Sequence, residues 1–194
     1  MTLFDKLFKQ PKQTISLKDF ALTGEFGPVK VGMHKEEVIK LLGPPDEDND
    51  FDTGYGGLLY GSYEFFYSIK TAIIESIQND HLTADHHYNS WRYSSNPIFK
   101  NKEFQIDPWF LKKGKDVPYK NVIQILKEEQ IPFKETIKYD CPFIEFESGV
   151  TLDFTNFDGY LYETDDGDFV QNLDVLIHKS EGFALNGIRY FPKS

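Results

Sequence analysis

Apolar residues recur at helical spacing in the segment from Gly32 to Asp46, which reads GMHKEEVIKLLGPPD. Val38, Leu41 and Leu42 stand at positions i, i+3 and i+4, so they form a single apolar stripe on a helix. Four of the other six residues from His34 to Leu42 are charged, as expected of the side that faces water. The pattern therefore predicts a short amphipathic helix from His34 to Leu42.

Both ends of this helix are marked in the sequence. Met33 and Val38 have the spacing of a hydrophobic staple, and Glu37 stands where the acidic residue of a capping box belongs. Gly43 is expected to end the helix in a left-handed conformation, and the Pro-Pro pair that follows cannot continue it.

The same pattern returns 84 residues further along the chain. Its apolar stripe consists of Val122, Ile125 and Leu126. Asp116 stands in a position suited to an N-cap, and Pro132 enforces the end of the helix. We therefore predict a second helix, equivalent to the first, within the segment from Val117 to Gln130.

The first helix is followed by a polar loop, DEDNDFDTGYGG, and then by strand-like segments. LLYGSYEFFYS and TAIIESIQ are rich in aromatic and β-branched residues, and we expect two strands joined by a turn at Ser68 to Lys70. Alternation places Tyr63, Phe65 and Tyr67 toward the helices. The residues expected to point away from the helices are Tyr60, Glu64, Phe66, Ile74, Ser76 and Gln78.

The second helix is followed by the segments CPFIEFE, GVTLDFT and LDVLIHKS, which have the same strand character. GVTLDFT alternates, with Val150, Leu152 and Phe154 on one side, and is the expected counterpart of the strand that contains Tyr63. LDVLIHKS is the expected counterpart of TAIIESIQ. The segment from Asn156 to Asn172 is then a loop insertion in the second half.

A helix followed by an antiparallel meander, used twice, predicts an α+β fold of two repeated units, each a short helix packed on an antiparallel β-meander. We expect residues 1–85 to form the first unit, residues 86–115 a connector and residues 116–194 the second unit. The first unit is expected to begin with an N-terminal helix. The apolar face of that helix consists of Leu3, Phe4, Leu7 and Phe8.

The segment GMHKEEVIKLLGPPD, followed by an aromatic strand beginning YG, resembles the helix–turn–strand signature of the small outer-membrane assembly lipoproteins. A tandem arrangement of such units resembles the fold of the β-lactamase inhibitory proteins. The match runs from Val31 to about Phe66, and His34 stands where Ser or Thr is usual. The resemblance implies a fold that holds other proteins, chiefly through an open face of its sheet.

A net charge of −10 argues against nucleic acid as a partner, because phosphate binding needs a basic surface. The same charge favours attraction to a basic protein. Cytoplasmic bacterial immunity proteins, which are small acidic antagonists of toxins, are similar in size and charge.

The sequence contains no apolar run long enough to cross a membrane, and MTLFDKLFKQPKQ lacks the apolar core of a signal peptide. We therefore expect a cytoplasmic protein without a membrane role. The single cysteine, Cys141, is expected to be a buried, unreactive thiol.

Three features could carry chemistry, and we expect no catalytic residue, cofactor or metal among them. The acidic loop has calcium-loop spacing from Asp48, but Thr53 replaces the required glycine and Leu59 the terminal glutamate. The histidines that could supply zinc ligands are His81, His86 and His87. No further ligand pair stands at a diagnostic spacing, and no hydrolase motif or singled-out carboxylate pair occurs.

The function that we infer from the sequence is the binding of another protein, plausibly a basic one, by a non-enzymatic module of the immunity or inhibitor type. The residues expected to contact the partner are Asp46, Asp48, Asp50 and Asp52 of the acidic loop and Tyr60, Glu64 and Phe66 of the sheet. The alternative is a metal-dependent hydrolase that uses the region from His81 to His87.

Overall fold

The computed structural model of the chain describes residues 11–82, 97–138, 141–155, 162–163, 169–170 and 183–192. The expected N-terminal helix of residues 3–8 and the segment LDVLIHKS, residues 173–180, lie outside these residues. The helices, strands and contacts of the fold are those of the described residues.

The first part of the chain contains two helices and five strands. They are β1 (Gln13–Ser16), α1 (Leu17–Thr23), α2 (Lys35–Leu42), β2 (Glu47–Asp50), β3 (Tyr55–Tyr60), β4 (Tyr63–Ser68) and β5 (Ile74–Asn79). The second part contains one helix and seven strands. They are β6 (Phe104–Asp107), α3 (Tyr119–Glu128), β7 (Lys134–Lys138), β8 (Cys141–Glu145), β9 (Val150–Thr155), β10 (Tyr162–Glu163), β11 (Phe169–Val170) and β12 (Ala184–Tyr190).

Eight of the strands form one antiparallel sheet in the order β2-β3-β4-β5-β12-β9-β8-β7. The expected α+β fold class is therefore confirmed. Two strand pairs lie outside this sheet, a parallel pair of β1 with β6 and an antiparallel pair of β10 with β11. The sequence predicted neither pair, and β6 falls within the expected connector.

The helix α2 follows its sequence signals closely at its start. His34 is the N-cap, and it forms a capping box with Glu37 as predicted. Val38 and Leu42 are completely buried. Gly43 caps the helix end with φ 84° but ψ −176°, so the expected left-handed cap is wrong. A positive φ still favours glycine here.

The helix α3 begins later than its signals suggested. Its N-cap is Pro118, which has no side-chain hydrogen bond to offer, so the assignment of Asp116 as N-cap is wrong. Val122 and Leu126 are completely buried, as are their counterparts 84 residues earlier. The two apolar stripes therefore play the same part in burying their helices.

The helices α2 and α3 lie on the same face of the sheet, which we call the helix face. The Tyr60 hydroxyl donates a hydrogen bond to the Gly43 carbonyl at the end of α2, at 2.7 Å. The ring of Tyr119, the first residue of α3, packs edge-on against Phe154 at 4.9 Å between centroids. The strand register places Tyr60 and Phe154 on this same face.

Phe26 lies at the centre of the core beneath this face. Its ring lies 5.6 Å from that of Phe20 in α1, 5.2 Å from that of Phe65 in β4 and 6.3 Å from that of Phe104 in β6. Ring pairs of this kind add to the stability that area burial alone provides. The parallel β1-β6 pair is thus tied to the main sheet through aromatic packing.

Three local features of the first half differ from the sequence expectation. Gly61 adopts a φ of 62° in a tight turn that divides LLYGSYEFFYS into β3 and β4. The expected polar loop contains the edge strand β2. A bulge between Phe66 and Tyr67 pairs Tyr67 with Ile74, so Ile74 is buried on the helix face instead of pointing away.

The second half also corrects two expectations. The segment from Asn156 to Asn172, expected to be a loop insertion, contains β10 and β11. The strand that pairs with both β5 and β9 is β12, which follows the segment expected in that place. GVTLDFT is a strand, β9, as predicted, with Val150, Leu152 and Phe154 buried.

Leu42→Ala and Leu126→Ala should each lower the free energy of unfolding by about 2–5 kcal/mol, because both side chains are completely buried under the sheet. Chemical denaturation measures this loss. Leu22→Ala in α1 is the matched control, since that leucine is 40% exposed and should cost much less. Losses below about 1 kcal/mol in both buried variants would contradict the packing described here.

Candidate functional site

The face of the sheet opposite the helices, which we call the outer face, is predominantly polar. One row of side chains crosses all eight strands on this face through successive cross-strand pairs. The row consists of Glu47, Leu59, Glu64, Gln78, Arg189, Thr151, Glu145 and Lys134. Polar side chains in these positions are typical of a face that meets water or a partner instead of a second core layer.

Arg189 occupies the centre of this row, at the junction between β5 and β12. Its guanidinium donates to both carboxylate oxygens of Asp153, at 2.6 and 3.3 Å, and to the Gln78 side-chain oxygen at 3.1 Å. Asp153 is only 7% exposed. Gly187 stands opposite Asp153, and a Cβ there would lie 2.7 Å from the carboxylate, so glycine provides the space for this ion pair.

Further carboxylates surround the Arg189 network. Gln78 donates to Glu64 at 2.7 Å and to Asp80 at 3.2 Å through its amide nitrogen. Burial raises the pKa of Glu64, because desolvation disfavours its charged form. Three carboxylates thus lie around one guanidinium, and this part of the outer face is negative.

A groove of about 420 Å³ lies on the outer face beside this network, and we call it the aromatic groove. It is lined by Tyr55, Phe66, Glu75, Ser76, Gln78, Phe191 and Pro192. Tyr55 and Phe191 are about half exposed, at 47% and 54%. Exposed aromatic side chains grouped in this way are characteristic of interaction sites.

Phe51 extends the aromatic surface at the edge of the sheet. Its ring lies 5.8 Å from that of Phe66 and covers Gly57, where a Cβ would lie 2.9 Å from the Phe51 ring. The missing side chain of Gly57 therefore allows the Phe51 ring to approach β3 closely. The other glycine of the pair, Gly56, makes the equivalent space for the Tyr67 ring on the helix face.

A second groove, of about 510 Å³, lies on the other half of the outer face, and Phe191 and Pro192 line it too. Its cationic residues are already engaged. Lys138 lies 5.2 Å above the Phe143 ring and forms an ion pair with Glu145 at 2.7 Å, and Arg189 is held by Asp153.

The acidic residues predicted to contact a partner have several different environments. Asp46 accepts a hydrogen bond from the Gly61 amide at 2.7 Å, so it stabilises the β3-β4 turn. Asp48 accepts from the Tyr67 hydroxyl at 2.5 Å and from Lys35 at 2.9 Å. Its burial opposes ionisation, but these two hydrogen bonds outweigh it and lower the pKa of Asp48.

Asp50 and Asp52 lie at the exposed end of β2. The Asp50 carboxylate accepts the Asp52 amide at 3.0 Å, and Asp52 adopts a φ of 56°, which Asp and Asn tolerate better than most residues. Both side chains are exposed. All four predicted aspartates are exposed, but Asp46 and Asp48 are engaged by the turn amide and by Lys35 and Tyr67.

The three predicted sheet residues separate into two groups. Glu64 and Phe66 lie on the outer face, as expected. Tyr60 does not, and its expected outward orientation is wrong: it is completely buried on the helix face. A tight turn at Gly61 and Ser62 pairs Tyr60 directly with Tyr63, and directly paired residues share a face.

The histidine group can be followed in part. His81 lies 3.3 Å from Asp80 through its Nε2 atom, while Asp85, His86 and His87 lie outside the described residues. Within the described part of the chain, no three His, Cys, Asp or Glu side chains converge as metal ligands. Cys141 is half-buried instead of fully buried.

Sequence reasoning missed several residues that shape the outer face. Asp153 lies in the predicted strand β9, but its partner Arg189 lies in β12, a strand that was not predicted. Phe191 follows that strand and was missed for the same reason. The nearest signal was the alternation in ALNGIRY, residues 184–190, which is interrupted by glycine.

Comparisons of the chain with protein-family models, with curated proteins and with solved structures found no match. Among the helices of the described residues, none has both the length and the apolar character needed to span a membrane.

Replacing Glu64 with glutamine should raise the free energy of unfolding more at neutral pH than at acidic pH. Because the pKa of Glu64 is raised above its ordinary 4.5 in the folded protein, the unfolded chain loses this proton first as the pH rises. Ionisation then costs stability in the window above about pH 4.5, and glutamine removes that cost. Denaturation at pH 4.5 and pH 7 measures the effect.

The stability difference between Glu64→Gln and the unmodified protein should grow from pH 4.5 to pH 7. Glu36→Gln, which removes an exposed carboxylate from α2, controls for the change in net charge. A difference that stays constant or shrinks over this interval would contradict the burial of Glu64.

Proposed function

We propose that this chain is a non-enzymatic binding module that sequesters another protein through the outer face of its sheet. The observation that carries this proposal is the aromatic groove beside a polar sheet surface. Phe66 and Phe191 offer apolar anchors, and the row through Glu64 and Gln78 supplies polar contacts around them. An apolar centre with a polar surround is the usual anatomy of a protein interface.

The negative charge on strands β2 to β5 favours a basic partner. The strands β2 to β5 carry five acidic residues and no lysine or arginine. The acidic residues are Glu47, Asp48, Asp50, Glu64 and Glu75. Such a field speeds the approach of a positively charged protein and repels acidic ones. A small acidic protein with this surface suits an immunity or inhibitor role in the cytoplasm.

We also propose that the chain arose by duplication of a unit with one helix and a four-stranded meander. In support, α2 precedes β2-β3-β4-β5, and α3 precedes β7, β8, β9 and β12 in mirrored order across the sheet. The helices match at an interval of 84 residues, and β4 matches β9 at an interval of 87. The additional strands β1, β6, β10 and β11 are then later additions.

The binding proposal is tested by immobilising the protein, capturing partners from native lysate and repeating the capture with face-specific variants. Phe66→Ala should accelerate dissociation by about 30-fold or more, which corresponds to a loss of about 2 kcal/mol at a desolvated anchor. Leu22→Ala, an apolar truncation on α1, should leave the dissociation rate unchanged.

Equal retention by the two variants would contradict the outer face as the interface. Stoichiometric zinc binding that is lost on replacing His81 would instead support the metal-dependent alternative, and calorimetry with zinc measures it.

Electrostatic steering predicts a separate, kinetic effect. Asp50→Asn with Asp52→Asn should slow association about 2- to 10-fold at low salt and weaken its dependence on salt, while dissociation changes little. Asparagine can keep the hydrogen bond from the residue-52 amide, so thermal stability should be retained. The matched control is Glu36→Gln with Asp107→Asn, which removes the same charge elsewhere. If this control slowed association equally, the effect would come from the net charge of the protein and not from the position of Asp50 and Asp52.

A further inference from the structure

We propose that the aromatic groove is a recognition site for an arginine side chain presented by the protein partner. This inference rests on the proposed function and specifies the chemistry of its interface. The groove contains aromatic rings and a carboxylate, but none of the described residues that line it is a lysine or arginine.

Two places in the described part of the chain combine a cation, an aromatic ring and a carboxylate. Lys35 lies 4.6 Å from the centre of the Tyr67 ring and 2.9 Å from the Asp48 carboxylate. Lys138 lies 5.2 Å from the centre of the Phe143 ring and 2.7 Å from Glu145. In both places a cation gains from the electron-rich ring face and from an opposite charge at once.

The aromatic groove has the same ring and carboxylate components without the cation. Phe66 and Phe191 are the rings, and Glu75 is the carboxylate. The Glu75 side chain is exposed, and its carboxylate forms no hydrogen bond or ion pair with any described residue. The nearby Arg189 is directed to Asp153 and Gln78 and is not available to the groove. No cation of the described residues that line the groove fills this place, and we assign it to the partner.

Arginine fits this site better than lysine. A guanidinium is planar, so it can stack on an aromatic ring and still donate two parallel hydrogen bonds to a carboxylate. It is also less strongly hydrated than an ammonium group, which lowers the cost of entering a partly apolar groove. The volume of about 420 Å³ accommodates one such side chain with its flanking backbone.

The test uses blocked tripeptides as probes, with the sequences Gly-Arg-Gly, Gly-Lys-Gly and Gly-citrulline-Gly. Titration into isotope-labelled protein, followed by NMR, reports both affinity and location. The arginine peptide should shift the signals of groove residues and bind about 5- to 10-fold more tightly than the citrulline peptide, which keeps the shape and lacks the charge. The lysine peptide should bind more weakly than the arginine peptide.

Variants of the groove separate its two components. Glu75→Gln should weaken the binding of the arginine peptide and leave the binding of the citrulline peptide unchanged. Phe66→Ala should weaken the binding of both peptides. Glu36→Gln removes the same charge from the helix side and should have no effect. Equal binding of the arginine and citrulline peptides, equal binding of the lysine peptide, or insensitivity to Glu75→Gln would each overturn the arginine site.

Failure of this inference can be distinguished from failure of the proposed function. If no peptide shifts the groove signals but Phe66→Ala still releases the captured protein, the arginine site is wrong and the binding face stands. If the peptides bind as expected but capture is insensitive to Phe66→Ala, the outer face is not the protein interface and the proposed function is overturned.

Discussion

The structure depends on the pairing of β5 with β12, which joins strands β2 to β5 and strands β7, β8, β9 and β12 into one sheet. Only three residue pairs make this junction. Arg189 reinforces it from the outer face, because it bonds Gln78 within β5 and Asp153 within β9. Without the junction, β5 and β12 would each present unpaired backbone groups along a sheet edge. The shared core, both grooves and the arrangement of the helices on one face all follow from it.

The parts of the fold that were predictable from the sequence are those with local signals. Val38 and Leu42 face the core because their spacing matches one turn of helix, and the capping box at His34 lies within four residues. Long-range pairs have no such signal. The parallel pairing of β1 with β6 joins residues about 90 positions apart, and β2 consists of Glu, Asp and Asn, which are depleted in strands.

The faces of the site's side chains were predicted correctly where the strands alternate regularly. They were predicted wrongly where a turn or bulge interrupts the alternation. Glu64 and Phe66 reach the outer face because β4 is regular at these positions. Tyr60 is inside because the two-residue turn brings it directly opposite Tyr63, and a bulge reverses the face of Ile74. One extra or missing residue in a hairpin reverses every later side chain, and composition does not reveal it. The aromatic groove escaped prediction because Phe191 comes from the far end of the chain.

Phe191 and Pro192 line both grooves of the outer face, so the two depressions share a common wall. A protein that used both would have to straddle this ridge. Its surface would need two protrusions with a notch between them, and the notch would have to receive a phenyl ring. A single convex loop can fill one depression only. If the outer face is the interface proposed above, the shape of this ridge would select partners by their contour, independently of their charge.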